Sequence, residues 1–146
     1  MNFKAAVLIK TKKPLKIIDD LKTPILRRGQ VLVKVLHSAI CRSQIMEIEG
    51  KRGNDKYIPH LLGHEGAGIV EKVGSGVTKV LPGNKVFLSW IKGSGLEAGG
   101  SKIKNSKQII NAGPITTFSN YSIISENRCF LVPKKFPIKK SVIFGC

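Results

Sequence analysis

A chain of 146 residues, 42% apolar and 23% charged, has the composition of a folded domain with one sizeable core, which excludes a disordered polymer. No apolar run is long enough to cross a bilayer, and the apolar start at residues 3–9 is too short for a secretory leader, so a cytoplasmic protein is expected. The net charge of +16 is spread from Lys4 to Lys140 and no aromatic series alternates with it, which argues against a nucleic-acid stacking surface. A solvated surface, or attraction of an anionic cofactor, uses such a charge equally well.

Along the chain, residues 3–9, 15–18 and 30–38 are short runs rich in Val, Leu and Ile, bounded by Pro or Gly. Val31, Val33 and Val35 alternate with Leu32, Lys34 and Leu36, the period of a strand. Residues 43–50 predict a helix, opened by Ser43 as a capping residue and closed by Gly50. Strands are expected again over residues 68–73, 85–91, 121–125 and 129–132. Gly74-Ser75-Gly76, Pro82-Gly83-Asn84 and Val132-Pro133 supply the turns. Residues 92–112, full of Gly, Ser, Lys and Asn, show little periodicity and read as a long excursion. A last helix is expected after Pro137, over residues 138–146. Many short strands with Gly and Pro punctuation make the fold mainly β, a barrel or sandwich with short helices.

The chemistry-bearing residues are few. Cys41, Cys129 and Cys146 are odd in number with no close pair, a poor disulfide framework that fits a reducing compartment. Cys41, His64 and Cys146 are two thiols and an imidazole, a set that can hold zinc and leave one coordination position open for a reactant. Spacing this wide does not identify a metal, since a lone Cys also reads as a small core residue and a lone His as a satisfied polar group.

The surrounding residues add to that. Gly63-His64-Glu65-Gly66-Ala67-Gly68, then Gly74-Ser75-Gly76-Val77, Pro82-Gly83 and Val86, resembles the zinc signature of the medium-chain alcohol dehydrogenases. The whole chain is similar to the N-terminal GroES-like β-barrel of that family. The resemblance implies Cys41, His64 and Cys146 as ligands of one catalytic zinc, with Glu65 beside them or as an occasional fourth ligand. It implies Ser43 as the group that takes the alcohol proton, Arg42 as a contact of the cofactor pyrophosphate, and Trp90 as a wall of the substrate cleft. Each also has a plain reading: Ser43 as a helix cap, Arg42 as one more surface cation, Trp90 as core, Glu65 as a carboxylate bonded to backbone.

The chain also departs from the family pattern. Residues 92–100 contain none of the four cysteines that hold a structural zinc in many relatives, so that second zinc is not expected, and the excursion is left to packing or mobility. Gln44 stands where many relatives have an Asp, and Met46 near a position where some have a proton-relaying His. Gly93-Ser94-Gly95-Leu96-Glu97-Ala98 matches the spacing of a dinucleotide turn, but Gly99-Gly100 cannot easily open the helix such a turn needs. The expected reading of residues 1–146 is therefore the catalytic zinc domain of an alcohol or aldehyde oxidoreductase that uses NAD or NADP. The nucleotide-binding domain is expected to lie beyond Cys146, so the chain alone is expected to be inactive and to hold zinc weakly. The complete enzyme is expected to be a homo-oligomer. The rivals are a basic nucleic-acid-binding module with a vestigial metal site, and a zinc-independent reductase, against which Cys41 and His64 together argue.

Overall fold

Period-two burial defines the strands. In the computed structural model, which describes residues 1–146, strand β1 (Asn2–Leu8) buries Phe3, Ala5 and Val7 and turns Asn2 and Lys4 to solvent. Strand β2 (Lys16–Lys22) runs four residues past the expected end, because Leu21 is buried opposite Phe3 and carries the pairing on. Strand β3 (Gln30–Ser38) has the expected bounds. Its first four residues are buried on both faces and only the second half alternates, as befits a strand covered on both sides.

The rest of the chain places helix α1 (Arg42–Ile48), β4 (His60–Leu61), β5 (Gly66–Val73) and β6 (Lys85–Leu88). Then come β7 (Ser101–Lys104), β8 (Ile109–Ala112), β9 (Tyr121–Ser125), β10 (Cys129–Leu131) and helix α2 (Ile138–Ser141). Single 3-10 turns occupy Glu126–Arg128 and Val142–Gly145, the second breaking the helix expected to run to residue 146. Strands β1-β2-β7-β8-β4 close a barrel, and β10-β6-β5-β3-β9 form a second, five-stranded sheet. The mainly β, barrel-based expectation holds.

One expectation is corrected. Residues 101–112, read as part of a structureless excursion, form the β7–β8 hairpin that closes the barrel. Its strands are four residues each, and their buried apolar residues are Ile103, paired with Ile110, and Ala112, all in the barrel core. Three buried side chains among Lys, Ser and Asn, one of them a mere methyl, leave almost no periodic signal.

Two cores result. One fills the barrel around Phe3, Val7, Leu21, Leu61 and Ile110, and the other lies against the five-stranded sheet around Val33, Val70, Val86, Leu88 and Ile124. Strand β3 serves both, with Leu32 in the first and Val31 and Val33 in the second. Cys129 is fully buried in the second core, where burial pushes its thiol up to about 12. No helix is long and apolar enough to cross a membrane.

The stretch from 92 to 100 is held by two carboxylates rather than left to packing. Buried Glu126 accepts the main-chain N–H groups of Thr78 (2.5 Å), Lys79 (2.7 Å) and Leu96 (2.8 Å). Glu97 accepts from Lys92 Nζ (2.8 Å), Ser125 Oγ (2.9 Å) and Gly99 N (3.2 Å).

Candidate metal centre

Three separate elements bring the thiols and the imidazole together. Cys41 is the extended residue before α1, and its carbonyl accepts the N–H of Gln44 (3.0 Å). Ser43, expected as the cap of this helix, is inside it and makes no capping bond. The capping position is one residue pair earlier, and the Ser43 hydroxyl instead donates to Cys41 Sγ at 3.3 Å. That bond, with the Ser43 main-chain N–H, holds the Cys41 thiol below its usual range.

His64 and Glu65 sit in the short link between β4 and β5. Gly63, with φ of +91°, turns the chain there, and a Cβ at this residue would press against Phe118 N at 2.8 Å. Gln44, buried on α1, accepts the Gly63 N–H through its Oε1 and so ties the helix to the link. The Glu65 carbonyl is gripped by Ala39 N (3.1 Å), Ser38 Oγ (3.0 Å) and Thr117 Oγ1 (3.1 Å). The rigidity at His64–Glu65 is thus main-chain rigidity, supplied by β3 and the segment before β9.

Cys146 follows the second 3-10 turn. The Gly145 carbonyl accepts from Trp90 N (2.8 Å) and Ser89 Oγ (3.1 Å). A Cβ on Gly145 would lie 2.7 Å from Glu65 Cα and 2.8 Å from the Leu88 carbonyl, so only glycine lets the chain pack this closely over Glu65 and the end of β6. The residue before the second sulfur is therefore anchored on its N-terminal side.

Donor atoms of Cys41, His64, Glu65 and Cys146 all lie within 4.8 Å of one another. The two sulfurs are 3.9 Å apart, and a tetrahedral ion with sulfur ligands at about 2.3 Å requires a separation of about 3.8 Å. His64 Nε2 is 3.6 Å from Glu65 Oε1. The bond to the Cys41 sulfur pushes the Cys146 thiol up, so a second negative charge is resisted at this spacing unless a cation joins the pair. Both cysteines are free thiols. The donor set and its spacing fit zinc.

Beside the cluster opens a cavity of about 1070 Å³, lined among others by Ser43, His64, Trp90 and Cys146. Trp90 is 55% exposed, with its ring centroid 6.1 Å from that of His64 and the Arg128 guanidinium 5.3 Å from its own. It is a wall of the cavity and not a core residue. Arg42 is exposed on α1 and does not line the cavity. Met46, also on α1, is 38% exposed. A second cluster, which no sequence motif announces, joins Glu47 and His60 of the cavity wall to Asp55 of the adjoining smaller cavity. No motif joins them, and only the fold brings the loop after α1 onto β4.

Three kinds of likeness bear on identity. Residues 27–134 match the alcohol dehydrogenase GroES-like domain. The alcohol dehydrogenase class-3 of Dictyostelium discoideum is 30% identical over 98% of this chain and 44% of its own length. An S-(hydroxymethyl)glutathione dehydrogenase of Escherichia coli O1:K1 / APEC is 41% identical over 60% of this chain and 23% of its own. A crystal structure of an alcohol dehydrogenase zinc-binding domain protein from Burkholderia ambifaria superposes with a TM-score of 0.84 at 22% identity, covering all of this chain and 46% of that one. The chain thus spans less than half the length of these relatives. With a matched segment that reaches from the residues before β3 to those after β10 and takes in Cys41, His64 and Glu65, the chain belongs to the alcohol dehydrogenase GroES-like domain family.

Proposed function

We propose that residues 1–146 are the zinc-holding catalytic domain of an alcohol or aldehyde oxidoreductase that uses NAD or NADP. The convergence of Cys41, His64 and Cys146 beside a large cavity carries this reading. A nucleotide-binding domain outside these residues would hold the nicotinamide, and association into a homo-oligomer belongs to that complete enzyme. Free thiols suit a cytoplasmic setting.

Cys41, His64 and Cys146 would hold one zinc ion, with Glu65 as neighbour or alternate ligand. When bound, zinc there would supply a Lewis acid that acidifies an alcohol hydroxyl or polarises a carbonyl. Two thiolates and a neutral imidazole balance a divalent charge, so the centre can face a partly apolar cavity without a large burial cost. Ser43 Oγ lies at the cavity wall and holds a hydrogen directed at Cys41 Sγ. On this reading the Ser43 hydroxyl would take the substrate proton while passing its own hydrogen on. The Met46 side chain on the same helix has no titratable group, so that proton would leave through cofactor hydroxyls or water. Trp90 and His64 would bound the reacting end of the substrate. Arg42 would meet the cofactor phosphates from outside the cavity, where its fork suits two oxygens.

Metal analysis tests the reading directly. The wild-type chain is expected to bind one zinc, and Cys41→Ser or His64→Ala to bind none. The chain alone is expected to show no NAD-dependent alcohol turnover, and turnover is expected once it is joined to its nucleotide-binding domain. Zinc content unaffected by both substitutions would overturn the proposal.

A further inference from the structure

We propose a second divalent-cation site, formed by Glu47, Asp55 and His60 beside the same cavity and free of sulfur. These residues come from three elements: α1, the loop that follows it, and β4. Their donor atoms lie within 4.8 Å of one another. His60 is 7% exposed, and its Nδ1 is 2.9 Å from the Leu61 carbonyl oxygen, which can only accept. Nδ1 therefore carries a hydrogen, and Nε2 faces Asp55 Oδ2 at 2.7 Å and Glu47 Oε1 at 3.6 Å.

Two carboxylates and one ring nitrogen thus border one gap, with Asp55 also accepting the Tyr57 N–H at 2.9 Å. A proton on Nε2 bonds Asp55 but leaves Glu47 beyond hydrogen-bond reach, with only the Gln44 amide (3.1 Å) as donor. Arg52 stands at the rim of the adjoining 160 Å³ cavity and pairs with neither carboxylate. A divalent cation serves all three at once. An imidazole whose Nδ1–H is spent on a main-chain carbonyl, with Nε2 turned to the gap, is oriented as metal-bound histidines are. An octahedral ion with ligands at about 2.1 Å sets neighbouring donors about 3.0 Å apart, between the two separations seen here. One nitrogen and two carboxylate oxygens suit Mn²⁺ or another first-row divalent ion, whereas thiolates select zinc. Glu47 and His60 also line the main cavity, so an ion held there could anchor an anionic group of whatever molecule enters it.

This inference does not depend on the oxidoreductase reading, and its test needs no activity. The wild-type chain and a Cys41→Ser/Cys146→Ser double variant would be titrated with Mn²⁺, free Mn²⁺ being followed by electron paramagnetic resonance. One saturable Mn²⁺ per chain is expected in both. Asp55→Asn and Glu47→Gln, which keep side-chain shape, are each expected to weaken it by about 10-fold or more. Circular dichroism of these near-isosteric variants confirms that the fold persists. Absence of saturable binding in the wild-type chain, or binding that both carboxylate variants leave unchanged, overturns the proposal and assigns the gap to a proton.

Discussion

The carboxylate cluster that holds residues 92–100 and the sulfur cluster at Cys41 and Cys146 are both convergences of polar side chains, and they differ in completeness. Glu126 takes three main-chain N–H donors and Glu97 takes an ammonium, a hydroxyl and a main-chain N–H. Each acceptor there meets a donor from the protein. At the metal centre two sulfurs of like tendency face each other at 3.9 Å, with an imidazole and a carboxylate close by. A polar cluster satisfied within itself is architecture. One whose groups repel until something is added is a site.

The comparison can be broken most severely at Glu126. Glu126→Ala leaves three part-buried N–H groups without their acceptor and is expected to destabilise the chain by about 3–5 kcal/mol in urea unfolding, with zinc stoichiometry unchanged in the folded fraction. A loss below about 1 kcal/mol would mean that the loop is held by something else. Next in size is the effect of zinc. At free metal a hundred times Kd, zinc is expected to add about 2.7 kcal/mol to wild-type stability and nothing to Cys41→Ser, as read from thermal melts with and without chelator. Equal gains in both would detach the stabilisation from the sulfurs.

Acid separates the clusters further. The bond from Lys92 holds Glu97 down at about 2, and the N–H donors around Glu126 outweigh the upward push of its burial, so that carboxyl too is lowered. Groups depressed in the folded state lend stability above their unfolded pKa, near 4.5, and lose it as pH falls toward the folded value. Stability of the metal-free chain is therefore expected to decline between about pH 4.5 and 2, and Glu97→Gln to flatten that slope in acid titrations monitored by circular dichroism. The smallest expected effect is that of Ser43→Ala. It caps nothing, so the metal-free chain is expected to change by under about 0.5 kcal/mol. Joined to a nucleotide-binding domain, the same variant is expected to lose turnover by about 100-fold or more if Ser43 carries the proton.

Much of this was legible in the chain and some was not, for physical reasons. Strands β3 and β9 lie where their runs of Val, Leu and Ile place them, since most of those residues are buried. The β7–β8 hairpin was hidden because two buried isoleucines and Ala112 suffice to close the barrel when main-chain pairing does the rest. His64 and Glu65 stood out through the glycines around them, which the tight link between β4 and β5 requires, and Cys41 through the family resemblance those glycines carry. The role of Ser43 in the helix was misplaced by two residues, because a hydroxyl beside a sulfur finds a better acceptor there than an N–H donor to cap. His60 gave no signal: its partners lie on a helix and a loop, and nothing but tertiary structure sets their distance.

The anchoring of Gly145 has a mechanical corollary. The indole that borders the cavity and the sulfur that follows this glycine are coupled through one main-chain bond, Trp90 N–H to the Gly145 carbonyl. A change that shifts the main chain at Trp90 is therefore expected to shift Cys146 with it, so selection by size and the spacing of the two sulfurs would be retuned together.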